Sequence, residues 1–119
     1  MVHALLIFLL MALPPLDTKQ RTQLAQRVAE GQLSTLQTKE VQIEGGSDFQ
    51  TTGQFVVSRV LKGDLKKGQR LTVRMRQTGK RPAGWAGPQG LNELPKDGQK
   101  IRLYLQGSQV LEPNGWEPL

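Results

Sequence analysis

The feature that most constrains this fold is a strict alternation of apolar and polar residues in two segments, 70–76 and 101–106. Successive side chains of a β-strand point to opposite faces, so each segment is predicted to be a strand with one buried face. The residues expected to face the core are Leu71, Val73, Met75, Ile101, Leu103 and Leu105. The residues expected on the outer face are Arg70, Thr72, Arg74, Arg76, Arg102, Tyr104 and Gln106. The first strand therefore has a strongly basic outer face.

Other segments complete the predicted β-structure. Residues 54–62 are rich in β-branched and aromatic side chains, which indicates a largely buried strand. Gly107 and Ser108 predict a tight turn, after which residues 109–112 form a last short strand. Residues 44–53 contain three glycines and are predicted to be a loop, and residues 79–98 are predicted to be a long irregular connection.

The stretch before the first loop has two interpretations. Residues 17–30 carry apolar side chains at helical spacing, whereas residues 27–37 fit a strand with a bulge at Gly31. The helical stripe would consist of Leu24, Ala25, Val28 and Ala29, and the buried strand residues would be Val28, Leu33 and Leu36. We favour the strand.

About five short strands with little helix predict an all-β fold, and this number fits a small five-stranded barrel better than a seven-stranded sandwich. Segment 55–63, ending Val60-Leu61-Lys62-Gly63, is followed by Gly68-Gln69-x-Leu71-x-Val73 and by Gly98-Gln99-x-Ile101-x-Leu103-Tyr104-Leu105. Together these motifs resemble the small secreted OB-like barrels of the netrin and tissue-inhibitor type over roughly residues 54–106. The resemblance implies a barrel and secretion. Those families normally carry cysteines that this chain lacks, so protease inhibition is not implied. The C-terminal stretch 111–119 also resembles exported bacterial proteins of unknown function, which adds no chemistry.

An apolar segment precedes the predicted barrel. Every residue from Ala4 to Leu13 is apolar, and Pro14 and Pro15 follow. Ten residues are too few to span a bilayer, where about 20 are needed, but they match the apolar core of a secretory signal peptide. No basic residue precedes the run and no small-x-small cleavage site follows it, so an apolar helix docked on the barrel or on a membrane is the alternative. We expect residues 1–16 to be the leader or anchor, residues 17–119 to form one domain, and the protein to be secreted or periplasmic.

The composition removes most catalytic chemistry. The chain has no cysteine, and its one histidine, His3, lies in the apolar leader. Metal ligation and nucleophile activation depend mainly on these two residue types, so we expect no enzyme activity, no metal site and no cofactor. Three carboxylates, Asp64, Glu93 and Asp97, are candidates for acid and base catalysis, but turn formation explains Asp64 and Asp97 because each lies beside a glycine.

The positive charge is concentrated in one part of the chain. Nine cations fall between residues 59 and 81, against the single acid Asp64. Arginines on one strand face repel each other at about 7 Å per two-residue step unless an anion or a facing acid compensates them. The predicted ligand-binding residues are Arg59, Arg70, Arg74, Arg76, Lys80, Arg81 and Trp85, the last as a stacking surface. The alternative is that this face only keeps the protein soluble.

Two functions follow from these observations. The first is an exported, non-enzymatic binding or accessory module, expected to be a monomer, whose basic face meets an acidic polysaccharide, a membrane surface or an acidic protein. The alternative is an OB-like protein that binds single-stranded nucleic acid, which the leader and the shortage of aromatic residues make the weaker hypothesis.

Overall fold

The computed structural model describes residues 14–85, 87 and 89–119. The predicted leader, except for residues 14–16, therefore lies outside the described residues. The fold is mostly β-sheet with one short helix. The elements are α1 (Thr18–Leu24), β1 (Arg27–Ile43), β2 (Gly46–Lys62), β3 (Arg70–Thr78), β4 (Lys100–Gln106), β5 (Gln109–Val110) and β6 (Trp116–Pro118). Among the described residues, no α-helix has the length and hydropathy of a membrane-spanning segment.

Five strands form a ring in the order β1-β2-β3-β5-β4, and β4 pairs again with β1. Strand β1 closes the ring because its first residues pair with β4 on one side and with β2 on the other. The β3–β5 contact, where Arg74 lies opposite Gln109, is parallel, and the other pairings are antiparallel. Strand β6 pairs with the beginning of β4. The predicted β-rich fold with about five strands is confirmed at this level.

The N-terminal stretch forms a short helix followed by a strand. The favoured strand from residue 27 is confirmed, and the helical interpretation holds for the residues before it. Asp17 begins α1 with a capping box: its carboxylate accepts from the backbone N–H of Gln20 at 2.7 Å, and the Gln20 side chain accepts from the Asp17 N–H at 3.0 Å. The helix ends at Leu24, so the longer helical stripe is wrong. The β1–β2 register shifts between Glu30 and Gly31, as the predicted bulge requires.

The prediction of a loop over residues 44–53 is wrong. Only Glu44 and Gly45 form the turn, and β2 runs without interruption from Gly46 to Lys62. Its first half pairs with β1 on one side and β3 on the other, so both edges of its backbone are hydrogen-bonded. This pairing overrides the weak strand propensity of the local sequence. The strand predicted at 109–112 is also shorter and ends at Val110.

The core fills the inside of the ring with side chains from all five strands. Its fully buried members include Leu33, Phe55, Val73, Met75, Ile101, Leu103, Leu105 and Val110. All six apolar residues of the two alternating segments pack inward, although Leu71 is only partly buried. The alternation therefore identified the core face of β3 and β4 correctly.

Tyr104 lies on the outer face of β4, as predicted, but that face is covered at this position and the side chain is not exposed. Its side chain is fully buried in a second small cluster with Ala25, Val28 and Leu111, and the Arg21 guanidinium lies 4.6 Å from its ring centre. Helix α1 and the C-terminal segment cover this part of the outer face of β4, which therefore does not reach solvent. The alternation of apolar and polar residues in β4 does not reveal that other segments pack on its outer face.

Candidate ligand-binding groove

A groove lies across strands β1, β2, β3 and β5. Its volume is about 650 Å³, within the range of small-ligand pockets. The lining residues are Gln37, Thr38, Lys39, Gln50, Thr51, Thr52, Thr72, Arg74, Met75, Arg76 and Gln109. We call this surface the β2–β3 groove.

Strand register places the polar residues of the groove in rows. Thr52 on β2 lies opposite Gln37 on one side and Arg74 on the other. Two residues along the strand, Gln50 lies opposite Lys39 and Arg76. Directly opposed residues point to the same face of a sheet, so each row brings a cation of β3 next to one uncharged polar side chain of β2.

Arg76 is the compensated cation of the groove. Its guanidinium donates two hydrogen bonds to the Glu112 carboxylate, at 2.7 and 3.0 Å, and lies 3.4 Å from Asp48 Oδ1. The hydrogen bonds to Glu112 raise the pKa of Arg76 against the opposing effect of burial. This bidentate pair fixes the side chain, and the predicted repulsion along β3 is relieved at this position by acids of the protein itself.

Arg74 and Arg70 are not compensated in this way. Both side chains are exposed on the same face of β3, and neither forms an ion pair with any residue in the described ranges. The same holds for Lys39 on β1. Arg74 and Lys39 line the groove, whereas Arg70 lies two residues beyond Thr72, at the start of β3. The groove therefore contains two cations that have no ion-pair partner among the described residues, Lys39 and Arg74. We call them the free cations; the third cation of the groove, Arg76, is neutralised by acids.

The predicted loop residues lie next to the groove but do not line it. Arg81 forms a 2.6 Å ion pair with Asp48, the same carboxylate that contacts Arg76, and also donates to the Ser47 carbonyl. Its guanidinium stacks 4.9 Å from the centre of the Trp85 ring. One face of the predicted stacking residue is thus already covered by Arg81. Lys80 is exposed, and its backbone N–H donates to the Ser47 side chain.

Arg59 lies away from the other predicted ligand-binding residues. It is nine residues from Gln50 along β2, about 30 Å at the rise of a strand. Its guanidinium lies 3.6 Å from Glu30, a carboxylate that Arg102 contacts more closely, at 2.6 Å. The structure therefore brings Arg74 and Arg76 together in the groove, and it places Arg59 in a separate cluster of charges.

Sequence reasoning missed the β1 and β2 side of the groove. Lys39, Gln37 and Gln50 were not candidates, because residues 44–53 were assigned to a loop and the strand before them was predicted to stop at Gln37. A signal for them existed: Glu44-Gly45-Gly46 lies between two polar segments rich in threonine and glutamine, as in a hairpin.

The candidate carboxylates have no place in the groove. Asp64, Glu93 and Asp97 are exposed in the connections around β3, and none of them lines it. Asp97 accepts a hydrogen bond from the backbone N–H of Thr35 at 3.1 Å, a contact between residues 62 positions apart rather than the predicted bond within its own turn. In the part of the chain that the structure describes, no three His, Cys, Asp or Glu side chains group together to hold a metal ion.

Comparison with protein-family models, with curated proteins and with solved structures gives no match for this chain. The resemblance to netrin-type barrels and the assignment of the basic residues to ligand binding therefore stay predictions.

Proposed function

We propose that this protein is a non-enzymatic binding module that takes an acidic partner in the β2–β3 groove of an OB-like barrel. The ring order β1-β2-β3-β5-β4-β1 supports the barrel, since it closes five strands through a shared β1. Barrels of the OB type use the face formed by their second and third strands for ligands, and seven of the lining residues of the groove belong to β2 and β3, which supports this assignment.

The observation that carries the proposal is the contrast between Arg76 and its neighbours. If the strand arginines served the fold alone, each would be expected to have an acid nearby, as Arg76 has Glu112. Arg74 and Lys39 instead face the same groove without an ion-pair partner among the described residues. Two free cations in a concave polar surface attract an anionic ligand more strongly than cations on a convex surface do.

A charge-reversal experiment tests the proposal. The double variant Lys39→Glu/Arg74→Glu is compared with Lys67→Glu/Lys96→Glu, which makes the same change in net charge at exposed turn positions outside the groove. The readout is retention on an immobilised sulfated polysaccharide as a function of salt. We expect the groove variant to lose at least about tenfold in affinity, since each charge-assisted contact contributes about 1.5–3 kcal/mol.

The control variant should lose much less, because distant exposed charges are screened by salt. Equal losses in the two variants would show that only net charge matters and would refute the groove. Absence of wild-type retention at low salt would exclude a sulfated polysaccharide as the acidic partner, and absence of binding to any polyanion would refute the binding function itself. Circular dichroism of both variants checks that the fold is intact.

We also propose that the module acts outside the cytoplasm, secreted or periplasmic, with the apolar N-terminus as leader or membrane anchor. The run Ala4–Leu13 supports this proposal. Cell fractionation combined with intact-mass measurement tests it, and finding the uncleaved chain in the cytosolic fraction alone would refute it.

A further inference from the structure

We infer that the acidic partner is a carbohydrate: a polysaccharide carrying carboxylate or sulfate groups, bound along the β2–β3 groove. This inference depends on the proposed function and specifies its ligand. It is carried by the chemistry of the groove lining. Seven of the eleven lining residues are hydroxyl or amide side chains, namely Gln37, Thr38, Gln50, Thr51, Thr52, Thr72 and Gln109. Met75 is the one apolar member, and it is buried.

This lining disfavours nucleic acid. Proteins that bind single strands stack bases on aromatic side chains, and no aromatic residue lines the groove. Phe49 is exposed beside Gln50 on β2, but successive side chains of a strand point to opposite faces. Trp85 has one ring face covered by Arg81, and the backbone of Gly87 lies against the ring, where an added Cβ would come within 2.5 Å of Cζ2. Phe55 and Tyr104 are fully buried. A nucleic acid would gain phosphate contacts here and little else.

The lining also disfavours acyl chains and apolar peptides. Ligand sites for such molecules are lined mainly by hydrophobic side chains, and this groove has one buried methionine. The headgroup of a lipid could bind the two cations, but the acyl chains of the lipid would contact no exposed apolar surface in the groove. The remaining partner class is one that is polar throughout its length and carries anionic groups.

Several of the lining groups have hydrogen-bonding capacity left for a ligand. Thr38 and Thr51 satisfy each other through a 2.6 Å hydroxyl contact, and Thr72 accepts from Gln54 at 2.9 Å. Gln37, Gln50 and Thr52, in contrast, have no side-chain hydrogen bond within the described residues. Each amide both donates and accepts, as does a sugar hydroxyl, so these three residues form a floor suited to a polyhydroxylated ligand.

The two free cations stand at opposite corners of this floor. Lys39 and Arg74 belong to strands separated by β2 and to adjacent rows, so their Cα atoms are about 12 Å apart at standard strand spacing. Gln50 and Thr52 lie between them. The arrangement suits a ligand whose anionic groups are separated by uncharged hydroxylated atoms, as in a chain of acidic and neutral sugars.

The test compares three polyanions of different backbone with purified wild-type protein: chondroitin sulfate, poly-L-glutamate and an oligo-dT strand, each in fragments of matched charge. Vesicles of phosphatidylglycerol form a fourth arm. The variant Gln50→Ala removes a floor amide without changing charge, and Gln42→Ala is its matched control on β1 outside the groove. Affinities are measured by calorimetry at two salt concentrations.

We expect the sulfated polysaccharide to bind at least about tenfold more tightly than the other probes. Gln50→Ala should weaken that binding about fivefold, the effect of one typical hydrogen bond, while leaving the weak binding of poly-L-glutamate unchanged. Gln42→Ala should change neither.

The outcomes separate this inference from the proposed function. Binding that follows charge alone, with no effect of Gln50→Ala, would overturn the carbohydrate assignment and leave an acidic-partner module in place. Preferential binding of the oligonucleotide, the peptide or the vesicles would overturn it in favour of that class. If no probe binds, the proposed function and this inference both fail.

Discussion

The hydroxyl of Tyr104 provides a direct test of how helix α1 and the C-terminal segment are held on the sheet. Tyr104 Oη donates to Glu117 Oε1 at 2.8 Å, and the same carboxylate accepts from Arg21 at 3.0 Å and from Arg102 at 3.3 Å. Replacing Tyr104 by Phe removes this hydrogen bond together with the contact of the hydroxyl with Arg102, whereas the ring, its burial and the stacked Arg21 guanidinium are retained.

The expected loss follows from the type of bond. A hydrogen bond to a charged group contributes about 1.5–3 kcal/mol to folding, and Glu117 keeps two cationic partners in the variant, so the lower half of this range applies. We expect Tyr104→Phe to reduce the free energy of unfolding by about 2 kcal/mol at pH 7. For a domain of this size that corresponds to a fall in Tm of about 10 °C.

The assay is thermal and urea unfolding followed by circular dichroism, with Ser58→Ala as the control. Ser58 also donates a hydrogen bond, but from an exposed position to the neutral Glu30 carbonyl at 3.1 Å, so its removal should cost about 0.5 kcal/mol. The difference between wild type and Tyr104→Phe should also shrink as the pH falls through the lowered pKa of Glu117 and the carboxylate loses its charge. Equal effects of the two variants at pH 7 would show that the buried network does not stabilise the fold as described.

Two further predictions concern the same fold. Burial tends to raise the pKa of Glu117, but the hydrogen bond from Tyr104 and the nearby Arg21 outweigh this effect and lower the pKa below 4.5. The ionised Glu117 therefore stabilises the fold above pH 4.5, and this stabilisation is lost as the pH falls through the folded-state pKa. Burial raises the pKa of Tyr104 above 10.0, so a second loss of stability is expected as the pH rises above 10. Unfolding curves across pH 2–11 measure the loss at both ends of this range. If Glu117→Gln loses as much stability in acid as the wild type does, the prediction for Glu117 is contradicted. Gly31→Ala should cost more than about 3 kcal/mol or prevent folding, because its Cβ would meet the carbonyl oxygen of Val56. Gly68→Ala, with open space around it, should cost only about 1 kcal/mol for its positive φ, and similar unfolding midpoints for the two variants would refute the crowding argument.

Part of the fold is encoded locally and was therefore predictable. The period of two in segments 70–76 and 101–106 identified β3 and β4, and it placed Val73, Met75 and Leu103 in the core as found. The bulge at Gly31 followed from a glycine inside a strand pattern. These features depend on the alternation of side chains along one strand, which a short sequence segment specifies by itself.

The candidate site was only half predictable, for a physical reason. The basic outer face of β3 can be predicted from the sequence of that strand, but the sequence does not show which of its arginines is paired with an acid. Glu112 and Asp48, 36 and 28 residues from Arg76, reach it only through tertiary pairing, and no acid among the described residues reaches Arg74 in this way. Local patterns carry no information on contacts of this kind.

By itself, then, the sequence determined the β-rich class, the inward residues of its clearest strands and the concentration of positive charge. The tertiary structure decided which cations remain free, that Lys39 faces the same groove as Arg74, and that Tyr104 is covered by α1 and the C-terminal segment. Each of these depends on strand register or on segments far apart in the chain, and register is set by the packing of the whole sheet.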